Sequence, residues 1–375
     1  MPSVNIEGEP FEMGQRFGHQ TAPIIRKITN AFIRNLCDTV GVSKSQMLEE
    51  SFNYEKQILL QLGNEYVEEM QGIASGARIP YEDVLIVNCG WDLLNSLPTP
   101  ETHPDYMCSA FCAWDSATEN GNVVCGHNDD GARFVDQFLV FVTARPEAGY
   151  AFAAPLVPGY IGYHRMWNDR GVVLFGLAME KGEKNSEFRH SVPMWILLRY
   201  AVQYSASSRE VINILKEHLP ATAFHFLVTD KNGDINIVEV TGRHIAVMKP
   251  QDAERFCVVT NHALSHEIKQ YLVPRPFPTS THFRYQTVCS LLTKHAGKIN
   301  RNIAKSVLSS HYDALIGKNN PSLNTPCRHG EYEGKLSGTV SSVIIEITPT
   351  DLVSEISLGN PCENRWIIST MPLMD

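Results

Sequence analysis

Met107-Cys108-Ser109-Ala110-Phe111-Cys112-Ala113-Trp114 and, beyond a polar tip, Val123-Val124-Cys125-Gly126-His127-Asn128-Asp129-Asp130 form the stretch whose reading decides how the chain is arranged. Both arms are short, apolar and β-favouring. Between them Glu119-Asn120-Gly121-Asn122 holds an Asn-Gly pair, which tolerates the positive φ angles of a tight turn. The pattern predicts a hairpin folded about Asn120 and Gly121, with Cys108 opposite the region just past Asp130. A strand rises roughly 3.3 Å per residue, so this thiol and this carboxylate fall within about 10 Å along one ribbon. One site can be built from both.

Upstream the chain reads helical. Ile24, Ile25, Ile28, Phe32 and Leu36 recur at helical spacing, and Ser45 to Leu62 repeats the pattern. A third helix runs from Asn64 to about Ser75, where Gly76-Ala77-Arg78-Ile79-Pro80 reads as its stop. Asp83 to Asn88 leads into Cys89-Gly90-Trp91-Asp92, and a Pro-, Thr- and His-rich stretch from Ser96 to Asp105 reads as an exposed, cleavable connection.

Downstream, strands joined by tight turns take over. Phe138 to Ala144, Tyr163 to Trp167, Val172 to Leu177, Phe224 to Thr229, Ile235 to Val240 and Phe256 to Thr260 are predicted strands. Met194 to Tyr204, Arg209 to Leu219, His282 to His295 and Ile303 to Tyr312 are predicted helices, and Thr339 to Ile347 with Leu352 to Leu358 form a last hairpin. Helices grouped between blocks of antiparallel strands predict an α+β fold of two sheets covered by helices.

The 375 residues carry a net charge of -9 with basic residues scattered along the chain, which argues against a nucleic-acid partner. No apolar run approaches the roughly 20 residues that span a bilayer. The first residues lack the basic region and apolar core of a secretory signal, so the expected location is the cytoplasm, with no membrane partner. Nine cysteines without a Cys-x-x-Cys pair suit buried thiols in a reducing compartment. His127, Asp129, Asp130, His262 and His266 show no zinc-signature spacing, so neither metal nor cofactor is expected.

The order and spacing of several motifs resemble the acyl-coenzyme A:isopenicillin N acyltransferase family of N-terminal nucleophile hydrolases, relatives of the choloylglycine hydrolases. The resemblance is carried by Gly8-x-Pro10-x-Glu12-x-Gly14-x-x-x-Gly18, by Glu69-Met70-x-Gly72-Ile73-Ala74-x-Gly76-Ala77, and by the Cys108 hairpin closing in Gly126-His127-Asn128-Asp129-Asp130. It continues through Thr260-Asn261-His262, Cys327-Arg328 and Gly338-Thr339-Val340. It implies a four-layer αββα fold with two stacked antiparallel sheets. It also implies a precursor that cuts itself between Met107 and Cys108 into a helical chain 1–107 and a catalytic chain 108–375, both within one integrated domain.

By the same resemblance Cys108 is the nucleophile, Asp130 orients its freed amino group, and Asn261 helps hold the oxyanion. The implied activity is amide hydrolysis of a small N-acyl compound through a thioester acyl-enzyme. An acyltransferase drawing on an acyl thioester such as acyl-CoA is the alternative. Relatives place glycine before the nucleophile where this chain has Met107, which keeps open a third reading, an uncleaved binding protein.

Other residues carry open alternatives. Cys108 with His262 could form a Cys-His dyad without chain cleavage. Arg284 reads as a helix-surface arginine, the favoured alternative, or as a carboxylate binder. Tyr160 and Tyr163 suit an acyl pocket or a core equally. Cys112 shares a face with Cys108 and reads as packing ahead of pocket wall or disulfide partner. His127, Asn128, Tyr160, His262 and Arg284 complete the candidates for substrate contact. The acyl group, the amine and the oligomeric state are not readable.

Overall fold

The structure is a computed structural model that describes residues 1–96, 107–132, 137–179, 191–220, 222–250, 253–272, 278–332, 334–363 and 365–374. Nearly all of the expected connection from Ser96 to Asp105 lies outside the described residues.

The chain opens with β1 (Ser3–Gly8) and four helices, α1 (Pro10–Val40), α2 (Lys44–Gln61), α3 (Glu65–Ala77) and α4 (Tyr81–Ser96). The hairpin β2 (Met107–Asp115) and β3 (Gly121–Ala132) follows, then β4 (Val140–Pro146), β5 (Phe152–Leu156), β6 (Arg165–Asn168) and β7 (Val173–Ala178). Next come α5 (Met194–Tyr204), α6 (Ser208–Glu217), β8 (Phe224–Thr229), β9 (Asn236–Val240), β10 (Ile245–Met248), β11 (Phe256–Val259) and α7 (His266–Lys269). The chain ends with α8 (Ser280–Lys294), α9 (Arg301–Leu308), β12 (Tyr312–Asp313), β13 (Lys318–Asn319), β14 (His329–Tyr332), β15 (Lys335–Ile347), β16 (Asp351–Leu358) and β17 (Trp366–Pro372).

Two large sheets result. One runs β1-β4-β5-β6-β7-β8-β9-β10; the other runs β11-β2-β3-β15-β16-β17, with β14 also on β15. Neighbours are antiparallel except β1 and β4, a parallel pair that the sequence reading did not anticipate. Three apolar clusters define four layers. Helices α1 to α6 share a core with one face of the first sheet, the inner faces of the two sheets share a second, and α8 and α9 cover the far face of the second sheet with a third. The order is αββα, as the motifs implied.

The hairpin explains its own composition. Cys108, Ala110, Cys112 and Trp114 face the other sheet, while Phe111 and Ala113 face the α8–α9 layer. A strand buried on both faces carries no polar alternation. Its register differs from the expectation: Cys108 pairs with Asp129 and Met107 with Asp130. The turn is longer than an Asn-Gly pair, because β2 ends at Asp115, which has a positive φ of 50°, and β3 begins at Gly121. Residues 116–120 form the tip, and the partner of Cys108 shifts toward the tip accordingly.

Helix α3 ends within the expected stop, at Arg78 in the left-handed region, while Gly76 packs against α1. Trp91 and Asp92 lie within α4, where an Asp92 carboxylate oxygen accepts the Met194 N–H at the start of α5, 2.9 Å away.

Candidate active site

Cys108 is 5% exposed, and it lines a cavity of about 450 Å³ between the sheets and the α1–α4 layer. Phe32, Val87, Trp91, Leu94, Tyr160 and Trp195 give this cavity an apolar wall, while Asp129, Asp130 and His164 bring polarity to the thiol end. Tyr160 and Tyr163 both line it, so both belong to the pocket as well as to the packing around it.

The backbone of Cys108 is held from two sides. Its N–H donates to Asn261 Oδ1 at 3.0 Å, and its carbonyl accepts from the Arg284 guanidinium. Arg284 also donates to Ser109 Oγ at 2.8 Å and to Asn261 Oδ1 at 2.8 Å. The expectation that Arg284 decorates a helix surface is therefore corrected: its residue is fully buried, because α8 lies over the second sheet and turns this side chain into β2. Asn261 uses one hydrogen of Nδ2 on the Ala178 carbonyl, at 2.8 Å.

The two neighbouring aspartates point to different partners. Asp130 accepts from Thr339 Oγ1 at 2.7 Å through Oδ1, while its Oδ2 is buried without a hydrogen-bond partner among the described residues. Burial pushes its carboxyl up to about 6, against the pull of Arg328 and Arg284. Asp129 pairs with Arg165 at 2.9 Å, and Arg165 is itself anchored on Ser341 Oγ at 2.8 Å. Burial alone would raise Asp129, but the Arg165 guanidinium holds it below the usual carboxylate range. Burial, reinforced by Asp129 and Asp130, pushes the Cys108 thiol well up, so the sulfur carries its proton.

Two imidazoles stand beside that sulfur. The donor atoms of Cys108, His127 and His164 lie within 4.8 Å of one another. Burial lowers both histidines, so both are neutral imidazoles here. His127 also approaches the Gly176 carbonyl at 3.3 Å, and His164 Nε2 lies 3.4 Å from Asp129 Oδ1. By donor type this trio could also bind a soft divalent ion.

Other sequence candidates lie elsewhere. Asn128 donates to the carbonyls of Leu308 and Pro326 at 2.9 and 2.7 Å and accepts from Ser342 at 2.6 Å, so its amide is committed on the far face of the hairpin. His262 stacks on His282 at 4.2 Å and meets Thr260 and Thr281; it is not among the residues that line the cavity. Cys112 is fully buried, and the Cys125 thiol across the ladder donates to its sulfur at 2.9 Å. The sequence reading missed His164, Arg165 and Asp129 as a unit. The signal was a His-Arg pair inside an apolar strand, but its acidic partner lies on the other sheet.

Residues 116–321, more than half of the chain, match the family described as acyl-coenzyme A:6-aminopenicillanic acid acyl-transferase. The chain belongs to that family. The sequence motifs pointed to the same group. An uncharacterized protein from Archaeoglobus fulgidus is 22% identical to this acyl-transferase family member over 366 residues, covering 86% of this chain and 60% of its own length. The chain thus spans less than two thirds of that relative. Among solved structures, an N-acylethanolamine-hydrolyzing acid amidase ortholog from Caenorhabditis elegans is 15% identical, with a TM-score of 0.43 over 64% of this chain and 94% of its own. A mutant conjugated bile acid hydrolase from Clostridium perfringens is 14% identical, with a TM-score of 0.42 over 70% and 92%.

Proposed function

We propose that this chain is a self-processing cysteine amidohydrolase acting on a small N-acyl compound with an apolar acyl group. The observation that carries this reading is the setting of Cys108. Its thiol opens on an apolar cavity, while the nitrogen that cleavage would free is already held by Asn261.

In the first step the Cys108 sulfur attacks the Met107 carbonyl, and its proton passes to a neutral imidazole of His164 or His127. The C–N bond breaks as that proton returns to the departing nitrogen, which leaves a thioester. Water then hydrolyses that thioester, releasing the Met107 carboxylate and regenerating the Cys108 thiol, on a residue whose α-amine is now free. That α-amine has an unperturbed pKa of about 7.7 to 8.0, so a useful fraction is neutral near pH 7 and takes the thiol proton. Asp130 Oδ2, a buried acceptor, is suited to hold the ammonium form.

A substrate amide is then attacked, and the acyl group rests on sulfur until water removes it. The second hydrogen on Asn261 Nδ2 is a donor for the oxyanion, worth on the order of 3 kcal/mol of barrier. The apolar wall suits an acyl chain or ring, since a pocket of this size is oriented by few polar groups. Transfer from an acyl thioester to an amine uses the same acyl-enzyme; an acylated amine formed in competition with water distinguishes it.

One observation favours a second reading. His164 lies within 4.8 Å of the Cys108 thiol and has Nε2 3.4 Å from Asp129 Oδ1, a Cys-His-Asp set that works without cleavage. Intact mass under denaturing conditions separates the two. We expect two chains, ending at Met107 and beginning at Cys108, and a single chain in Cys108→Ala. A single chain in the parent protein that still turns over N-acyl substrates, and stops in His164→Ala, would instead establish the uncut enzyme. A single inert chain would leave the binding-protein reading.

A further inference from the structure

Away from the cavity, four side chains from three separate stretches converge. His311 follows α9, Cys327 precedes β14 and His329 opens it, and Cys362 sits on the 3-10 turn Pro361–Glu363 between β16 and β17. Their donor atoms all lie within 4.8 Å of one another. His329 Nε2 is 3.1 Å from His311 Nε2, 3.3 Å from Cys327 Sγ and 3.6 Å from Cys362 Sγ.

A ring nitrogen offers either one hydrogen or one in-plane lone pair, so it forms one such bond at a time. Three donor atoms this close to a single nitrogen are more than hydrogen bonding can use, whereas a shared centre explains all of them. In a tetrahedral zinc site, with Zn–N about 2.0–2.1 Å and Zn–S about 2.3 Å, neighbouring donors stand roughly 3.3 to 3.8 Å apart. The observed spacings lie close to that range.

We propose that His311, Cys327, His329 and Cys362 bind a zinc ion as a closed structural site. The two thiols lose their protons to solvent on binding, so two thiolates balance the charge of the ion. Four protein donors leave no open position for chemistry. A second layer is in place: Asn360 Nδ2 donates toward Cys327 Sγ at 3.6 Å and to the Arg328 carbonyl at 2.8 Å.

The ligands have a structural consequence for the hairpin. Cys327 and His329 flank Arg328, whose N–H donates to Thr339 Oγ1 at 2.9 Å, and Thr339 in turn donates to Asp130. The neighbouring Pro326 carbonyl accepts from Asn128. An ion here would fasten the loop before β14, the end of α9 and the β16–β17 turn around the strand that carries both aspartates.

The test is metal content of the reduced full chain, loaded with zinc and freed of loose metal by gel filtration. We expect one zinc per chain, retained in Cys108→Ala and bound at least about tenfold more weakly in Cys362→Ser. Cys362 is half-buried on a short turn, so its substitution is the safer one if Cys327→Ser unfolds the protein. Cobalt loaded in place of zinc should show sulfur-to-cobalt charge-transfer bands that Cys362→Ser weakens. No zinc on the reduced chain, equal affinity in Cys362→Ser, or a Cys327–Cys362 disulfide in protein purified without reductant would overturn the proposal. These readouts do not depend on cleavage at Cys108, so this site and the proposed activity can fail separately.

Discussion

Single buried carboxyls set how this protein responds to pH. Asp92, outside the cavity, is pushed up to about 7 by burial, against the Met194 N–H that lowers it, and its Oδ1 has no hydrogen-bond partner among the described residues. Because its folded pKa exceeds the unfolded value of about 3.9, Asp92 contributes stability below pH 4 that is lost as pH rises toward 7. The neutral histidines His127 and His164, both buried, and the half-buried His262 work in the opposite sense, being penalised as pH falls and the unfolded chain takes up protons. The difference between parent and variant isolates the aspartate. Denaturant unfolding of Asp92→Asn should show stability relative to the parent that climbs between pH 4 and pH 7, by an amount on the order of 2–4 kcal/mol. A flat difference across that window would mean that burial does not hold Asp92 protonated.

At the scale of elements, the contact between α1 and α3 is made by four glycines. Gly14 and Gly18 on α1 face Gly72 and Gly76 on α3, and a Cβ on any of them would strike backbone across the gap. At Gly72 it would stand 2.1 Å from the Phe11 carbonyl oxygen, which cannot rotate away. Gly72→Ala gains about 1 kcal/mol of helix propensity, but overpacking against main chain costs about 3 kcal/mol, so the sign is destabilising. A lowered Tm with a cooperative transition is the expected result; an unchanged or raised Tm would show that the helices separate freely. These glycines were visible as motifs in the sequence. Their reason was not, because spacing within one helix does not say which surface approaches it.

For the whole molecule, the two halves that cleavage would produce are folded into each other. β1 adds to the first sheet beside β4, with Ser3 opposite Phe141, and α1 and α4 form part of the cavity wall. Cut chains should therefore elute as one particle under native conditions and separate only when denatured. Native separation into two species would contradict this interlocking. Processing would then change the chemistry at Cys108 without releasing the segment that walls its pocket.

Local pattern determined much of this. The apolar arms of the hairpin, the helical spacing of the first hundred residues and most later strands were legible because burial imposes its period directly on composition. Met194–Tyr204 and Phe224–Thr229 emerged with the expected bounds. The four layers were what the family resemblance implied. What the tertiary structure decided was everything that depends on partners distant in the chain: the parallel pairing of β1, the register that sets Cys108 against Asp129, and the burial of Arg284 against β2. It also decided the Asp129–Arg165 pair across two sheets and the gathering of His311, Cys327, His329 and Cys362. A side chain records its own environment in its type, but the identity of its neighbour is fixed only when separate strands and helices close over one another.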